Sequence, residues 1–252
     1  MSIIDVPELD GFFESMSSEI QQFRREQEGT WALVGAAYLT ASIVFKSAQT
    51  SQHLQTSQSH RVMMWATALD YLMDSFFLIL RRRLDAGLAL LRLASELARD
   101  IARVAENEKN LKVWLNRSDK AALTAYRKEF KFNDADRIES YVHQLYDLAS
   151  KIGVHGHMST TMALRPAGAS PDGSFLIMEV PVIEVYKALE IWLAGFYPIQ
   201  SMCLKSFADL NDDRFREARL IFAEGWKVFD SAFAVFRREL AEMSADVLSS
   251  LH

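Results

Sequence analysis

The stretch from Arg61 to Glu106 constrains this chain more than any other. It is apolar almost throughout, it contains no proline, and its few charges keep helical spacing. A helix that is apolar on most of its circumference has to be surrounded by other elements. The expectation is therefore a pair of central helices, about 61 to 81 and 84 to 106, inside a multi-helix bundle. Arg81, Arg82, Arg83, Asp85 and Gly87 place the turn between them. With no proline to force a break, one long kinked helix is the alternative.

Composition agrees with one large core. Half of the 252 residues are hydrophobic, 16 of them Phe, and the net charge is -5. A weakly acidic chain has no overall field to attract nucleic acid or an anionic bilayer. The single cysteine, Cys203, excludes an intramolecular disulfide and a cysteine-based metal cluster. The opening residues Met1 to Glu8 lack the basic region and apolar run of a secretory leader. Trp31 to Phe45 is apolar for 15 residues, short of the roughly 20 that span a bilayer. These features point to a cytoplasmic protein with no membrane segment.

Five prolines and ten glycines leave room for long helices. A first helix is expected from about Pro7 to Gln27, broken at Gly29, and a second from Trp31 to about Ser47. Residues 47–59 read as a polar linker with little reason to pack. Short helices follow at Glu108 to Leu115 and Lys120 to Phe130. An amphipathic helix spans Asp134 to about Ile152 and stops at Gly153. Gly, Pro and Ser then concentrate in 153–181, where two apolar runs flank a turn-rich loop; this predicts a small β-hairpin insertion near 158–181. Helices resume over 182–209, bent near Pro198, and from Asp212 to about Ser249. The fold class expected is mainly α, a multi-helix bundle with one small hairpin, forming a single domain over 1–252.

Charges within the central pair supply the first candidate site. Asp70 and Asp74 are four apart and share a helix face, as do Asp85, Arg92, Glu96, Arg99 and Arg103 on the next helix. In an antiparallel hairpin Asp74 comes level with Arg92, and Asp70 with Glu96 and Arg99. The outcome is a solvated stripe, an ion-pair ladder, or a polar inter-helix cleft, the last being the usual place for a site in a bundle. A double carboxylate is one ingredient of a divalent-cation site, but the paired Glu-x-x-His pattern of di-iron bundles is missing. No metal and no cofactor are expected.

The second candidate runs from Tyr146 through Ser150 to His155 and His157. Histidine is the side chain most easily tuned for proton transfer near neutral pH. No acid at fixed spacing and no nucleophile elbow accompany Ser150, which argues against a hydrolase triad.

Leu88 to Glu96, Trp114-Leu115, Leu145 to Ser150 and Val154-His155-Gly156 together resemble an uncharacterised family of bacterial all-helical proteins. Members carry an Arg-x-x-x-Glu helix and a later Tyr-x-x-x-Ser-x-x-x-x-His segment. The resemblance covers roughly residues 60 to 160. It implies that Arg92, Glu96, Tyr146, Ser150 and His155 lie near one another, and it supplies no reaction. A more distant likeness is to the HEPN superfamily, helical bundles that include ribonucleases of toxin–antitoxin and phage-defence systems. Arg137-Ile-Glu-Ser-Tyr-Val-His143 has the spacing of the HEPN Arg…His motif. Under that resemblance RNA is the substrate, a protein partner is encoded nearby, and the catalytic candidates are Arg137, His143 and His155.

Two further patterns stand out. Residues 108 to 131 are locally basic, with Trp114, Tyr126 and Phe130 interleaved. This reads as an amphipathic helix packed on its apolar side, with a nucleic-acid face as the alternative. Phe215, Phe222, Trp226, Phe229, Phe233 and Phe236 form a stripe at helical period, suited to a core or a homodimer seam. The functional expectation is a homo-oligomeric binding or interaction protein with a polar cleft at Arg92, Glu96, Tyr146, Ser150 and His155, flanked by Asp70 and Asp74. The alternative is the HEPN-like ribonuclease.

Overall fold

The computed structural model describes residues 18, 20–51, 54–151, 165–169 and 176–249. Its elements in chain order are α1 (Glu28–Gln49), α2 (Thr56–Leu80), α3 (Leu84–Glu106), α4 (Lys109–Leu115), α5 (Lys120–Glu129) and α6 (Arg137–Ala149). The strands β1 (Arg165–Ala169) and β2 (Leu176–Glu179) follow, then α7 (Val182–Lys205) and α8 (Asp213–Ser249). The protein is a mainly α bundle, as the hydrophobic period implied.

The Arg61–Glu106 stretch is two helices, not one kinked rod. The chain reverses at Arg81 to Arg83, with Arg82 in the left-handed region at φ 60°. A helix rarely survives such a residue, because the L side chain crowds its own backbone there. Past the turn, α2 and α3 run against each other at close range. A Cβ on Gly87 would stand 2.7 Å from Ile79 Cγ1 and 3.0 Å from the Ser75 carbonyl oxygen, so only glycine permits the approach. Ser75 Oγ donates to the Gly87 carbonyl at 2.7 Å and closes the contact.

Behind the hairpin lies α7, the most deeply buried helix. Trp192 and Trp65 are both fully buried, and each indole N–H finds an acceptor across the helix seam. Trp192 Nε1 donates to the Leu72 carbonyl at 2.7 Å and Trp65 Nε1 to Gln200 Oε1 at 2.6 Å. Buried indoles need such partners because an unmet N–H in the core costs about 1–3 kcal/mol. Cys203 is also fully enclosed, and burial pushes its thiol well above the ordinary range. It is a small core residue, not a nucleophile.

The Phe stripe of α8 is core: Phe215, Phe222, Phe229 and Phe236 are buried, and Trp226 and Phe233 half-buried. Asp212 caps this helix, accepting from the backbone N–H of Arg214 and Phe215 at 2.9 and 3.1 Å. Its other oxygen accepts from Ser51 Oγ at 2.8 Å, which ties the end of α1 to the start of α8. The two helices therefore run antiparallel. They meet again where Gly225 faces Thr40, whose Cγ2 would be 2.8 Å from a Cβ at that glycine.

Several boundaries differ from expectation. The break before α1 falls at Gln27, and Gly29 is inside the helix; a glycine in a first turn costs little when the helix is anchored by packing. The expected 47–59 linker mostly joins the flanking helices. Here α1 continues to Gln49 and α2 starts at Thr56 behind a Gln55–Gln58 capping box. Ser57 and Gln58 are buried, bonded to Glu108 and Asp209 at 2.9 and 3.1 Å. Polar composition suggested solvent, but these residues serve as tertiary contacts. The third difference is length: α1 runs over 22 residues, Glu28–Gln49, rather than from Trp31 to about Ser47, and both α1 and α2 are long and apolar enough to cross a bilayer by length and composition alone. For α2 half of that stretch is buried inside the bundle.

In place of the expected insertion near 158–181, the described residues hold only a short antiparallel ribbon. Arg165 faces Glu179 and Ala169 faces Leu176, with an irregularity between Pro166 and Gly168. The ribbon adds no layer to the bundle. Residues 152–164 and 170–175 lie outside the described residues.

Candidate functional site

Helix α3 carries two polar clusters. The first lies where α3 meets α6. Arg92 and Glu96, four apart, form an ion pair at 2.9 Å with both side chains partly buried. The Arg92 guanidinium sits 5.2 Å from the centre of the Tyr146 ring, a cation–π contact. Burial pulls the Arg92 pKa down, yet its bond and attraction to Glu96, helped by Tyr146, leave it raised. Ser150 follows Tyr146 by four residues and so shares its face of α6. Two atoms here are buried without a partner: Arg92 Nε and Ser150 Oγ. Arg92, Glu96 and Tyr146 thus meet, with Ser150 one turn along. His155 and His157 lie outside the described residues.

The expected ladder between α2 and α3 does not form. Asp70 and Asp74 are exposed, and Arg92 and Arg99 take partners on their own helix, Glu96 and Asp100. Two apolar rods bury the faces that suit each other, and that rotates the carboxylates of α2 outward. Among the described residues no group of three or more His, Cys, Asp and Glu side chains could hold a metal ion.

The second cluster was not anticipated. Asp100 is only 3% exposed. Its Oδ1 accepts from Arg99 Nε and NH2 at 3.0 and 2.7 Å, and its Oδ2 from Trp114 Nε1 at 3.0 Å and Tyr126 OH at 2.9 Å. Arg99 also donates to Tyr126 OH at 2.7 Å. Burial raises the Asp100 pKa and the Arg99 charge pulls it back, leaving it above the usual carboxylate value. Burial and then Asp100 push the Tyr126 phenol up. By helix period Asp100 lies half a turn from Leu91, on the face turned away from the main core. It is buried because α4 and α5 fold back over it, and no periodicity in α3 signals that. The aromatic residues of the basic 108–131 segment are thus partly consumed as structural partners: Tyr126 stacks on Phe130 at 4.7 Å, and Phe130 joins a small second core with Val104 and Leu111.

An aromatic bridge joins the clusters. Phe132 lies 5.4 Å from the Arg99 guanidinium and 5.6 Å from the Tyr146 ring. Glu96 also faces a cavity of about 280 Å³ between α2, α3 and α4–α5, with Asp100 and Trp114 among its lining residues. Two more ion pairs, each with a buried arginine, fasten the far end of α3 and the start of α2. Arg103 binds Glu139, and Arg61 binds Asp209 at 2.7 Å beneath the Phe207 ring.

Arg137 and His143 are six residues apart on α6, and they point in directions about a third of a turn apart. Arg137 is exposed and lines the broad cleft, about 1080 Å³, between α6 and α8. His143 stacks on Phe132 at 4.7 Å, and its Nδ1 is 2.8 Å from Asp134 Oδ1. Its described neighbours are carboxylates and rings, with Asp147 4.0 Å from Nε2.

Comparison with known proteins finds no family model, no curated protein and no solved structure that matches this chain.

Proposed function

We propose that the protein is a binding protein whose site is the polar seam between α3 and α6, formed by Arg92, Glu96, Tyr146 and Ser150, with His155, outside the described residues, as a further candidate from the sequence alone. The ligand class is a small anion or carbonyl-bearing molecule. One observation carries this reading. The Arg92 guanidinium is oriented by Glu96 and by the Tyr146 ring, yet its Nε and the nearby Ser150 Oγ are buried without partners. A donor left unmet in a buried place costs about 1–3 kcal/mol. Unpartnered buried atoms occur elsewhere among the described residues, at Arg61, Arg103 and Gln200 for example, and what favours this seam is that Arg92 and Ser150 lie beside the same Tyr146. A bound acceptor here would meet both.

The test is a thermal-shift and calorimetric screen with inorganic phosphate, nucleoside monophosphates and short dicarboxylates. The expected result is that at least one probe raises the melting temperature of the wild type and fails to do so for Arg92→Gln and Ser150→Ala. No shift with any probe, or equal shifts in all three proteins, overturns the proposal. Cleavage of a single-stranded RNA by the wild type and not by His155→Ala would put a HEPN-like ribonuclease in its place.

A further inference from the structure

Residues 108–131 hold seven lysines and arginines against three acids, in a chain whose net charge is -5. The fold turns these cations outward. On α5, Tyr126 is held inward by its bond to Asp100 and by stacking on Phe130. That fixes the rotation of the helix. The arc on its far side, about 100° wide, carries Lys120, Thr124, Arg127 and Lys128, and all four are exposed. Glu129 falls outside this arc. On α4, which packs against α5, Asn110 and Leu111 are buried while Lys109 and Lys112 are exposed. Among the described residues Lys109, Lys112, Lys120 and Arg127 form no ion pair, and Lys128 meets only Glu129, at 3.8 Å.

The chemistry of the face selects its partner. A protein interface is centred on buried apolar and aromatic anchors, and the one large apolar side chain exposed here is Leu115. Single-stranded nucleic acid stacks its bases on exposed rings. None is offered: Arg117 covers Trp114 at 3.9 Å, and Tyr126 and Phe130 stack on each other. Contact with the phosphates of a duplex needs only cations. The spacing also fits. Lys120 and Lys128 stand about 12 Å apart along the helix axis, close to the roughly 12 Å width of the B-DNA major groove. Laid across that groove, α5 brings a cation to the phosphates on each edge. Duplex RNA is bound across two successive minor grooves, about 16 base pairs, a span beyond a helix of 10 residues.

We infer that the outer face of α5, flanked by Lys109 and Lys112, binds the phosphate backbone of double-stranded DNA without reading its sequence. The acidic remainder of the chain repels the duplex and so orients its approach toward this face. The seam between α3 and α6 takes no part, so either reading can fail alone.

Fluorescence anisotropy with a labelled duplex DNA of mixed sequence, about 20 base pairs long, tests the inference. The wild type should bind with a dissociation constant of about 1–100 μM near physiological salt, and log affinity should fall against log salt with a slope of about -4. Lys120→Ala with Arg127→Ala should weaken binding about tenfold and reduce the slope by about 2. Circular dichroism should be unchanged, because both positions are exposed. Arg219→Ala with Arg238→Ala, which removes two exposed cations of α8, should alter neither affinity nor slope. No binding even at about 50 mM salt, or an equal loss in the α8 control, would overturn the inference. So would tighter binding of the matching single strand, of duplex RNA or of polyglutamate than of duplex DNA.

Discussion

Arg92 and Arg99 sit seven residues apart on one face of α3, each over an aromatic ring, and they are treated in opposite ways. Arg99 is saturated. Asp100 takes its Nε and one terminal nitrogen, Tyr126 shares that nitrogen, and Phe132 covers the plane. Arg92 has one carboxylate and one ring, and its Nε has nothing. Both guanidiniums lose hydration, but only at Arg99 does the protein replace what is lost. A saturated buried charge fastens elements together, here α4 and α5 onto α3. An unmet donor alone does not separate scaffold from site, since Arg61 Nε and Arg103 Nε in the fastening pairs also lack partners; the contrast lies in the three side-chain bonds that Arg99 donates against one from Arg92.

That contrast orders the experiments. The largest effect should come from Asp100→Ala, which strands Arg99, Trp114 and Tyr126 at once. Removing one partner of a buried pair costs about 3–5 kcal/mol, so the urea midpoint should fall sharply, or the α4–α5 flank should lose amide protection ahead of the rest. A loss under about 1 kcal/mol would mean that the network is decorative. Trp114→Phe is narrower. It keeps an aromatic ring and deletes one donor to a buried carboxylate, for an expected loss of about 1–3 kcal/mol by the same measurement.

Asp136→Ala should cost about 1 kcal/mol, the usual value of a helix cap, because Asp136 Oδ1 accepts from the Ile138 and Glu139 N–H groups at 3.0 and 3.1 Å. It also brings a pH dependence. The bond from Lys205 holds the Asp136 carboxyl below its ordinary pKa, aided by those backbone donors. The folded state therefore binds this proton less readily than the unfolded chain does. Its stabilisation is complete above the unfolded carboxylate value and is lost as pH falls through the lower folded one. The stability gap between wild type and variant should be constant near neutrality and close below about pH 4. The smallest stability effect is expected at Arg92→Gln. A partly exposed i,i+4 pair contributes about 0.3–0.5 kcal/mol, so binding rather than folding should report this substitution. A loss as large as that of Asp100→Ala would place Arg92 in the scaffold.

Much of the architecture was legible in the residues. The apolar period from Arg61 to Glu106 pointed to core helix with a turn at the arginine run, one kinked helix remaining the alternative, and the Phe spacing of α8 picked out a stripe for a core or a seam. Local signals fail where burial is created by a remote segment. Ser57 and Gln58 look like linker, yet Glu108 and Asp209 reach them from across the bundle. Asp70 and Asp74 look paired to Arg92 and Arg99, but the rotation of each helix about its axis decides which charges meet. Core packing sets that rotation to within tens of degrees, and a helical repeat cannot.

By itself, then, the chain determined which segments are helical and which stripe of each turns inward, because both follow from the 3.6-residue period and the transfer of apolar area out of water. Only the tertiary structure decided that Asp100 is enclosed and Asp70 is not, and that Arg99 is satisfied while Arg92 is not. Those outcomes depend on how α4, α5 and α6 fold back over the outer faces of α3, and contacts between elements far apart in sequence leave no period to read.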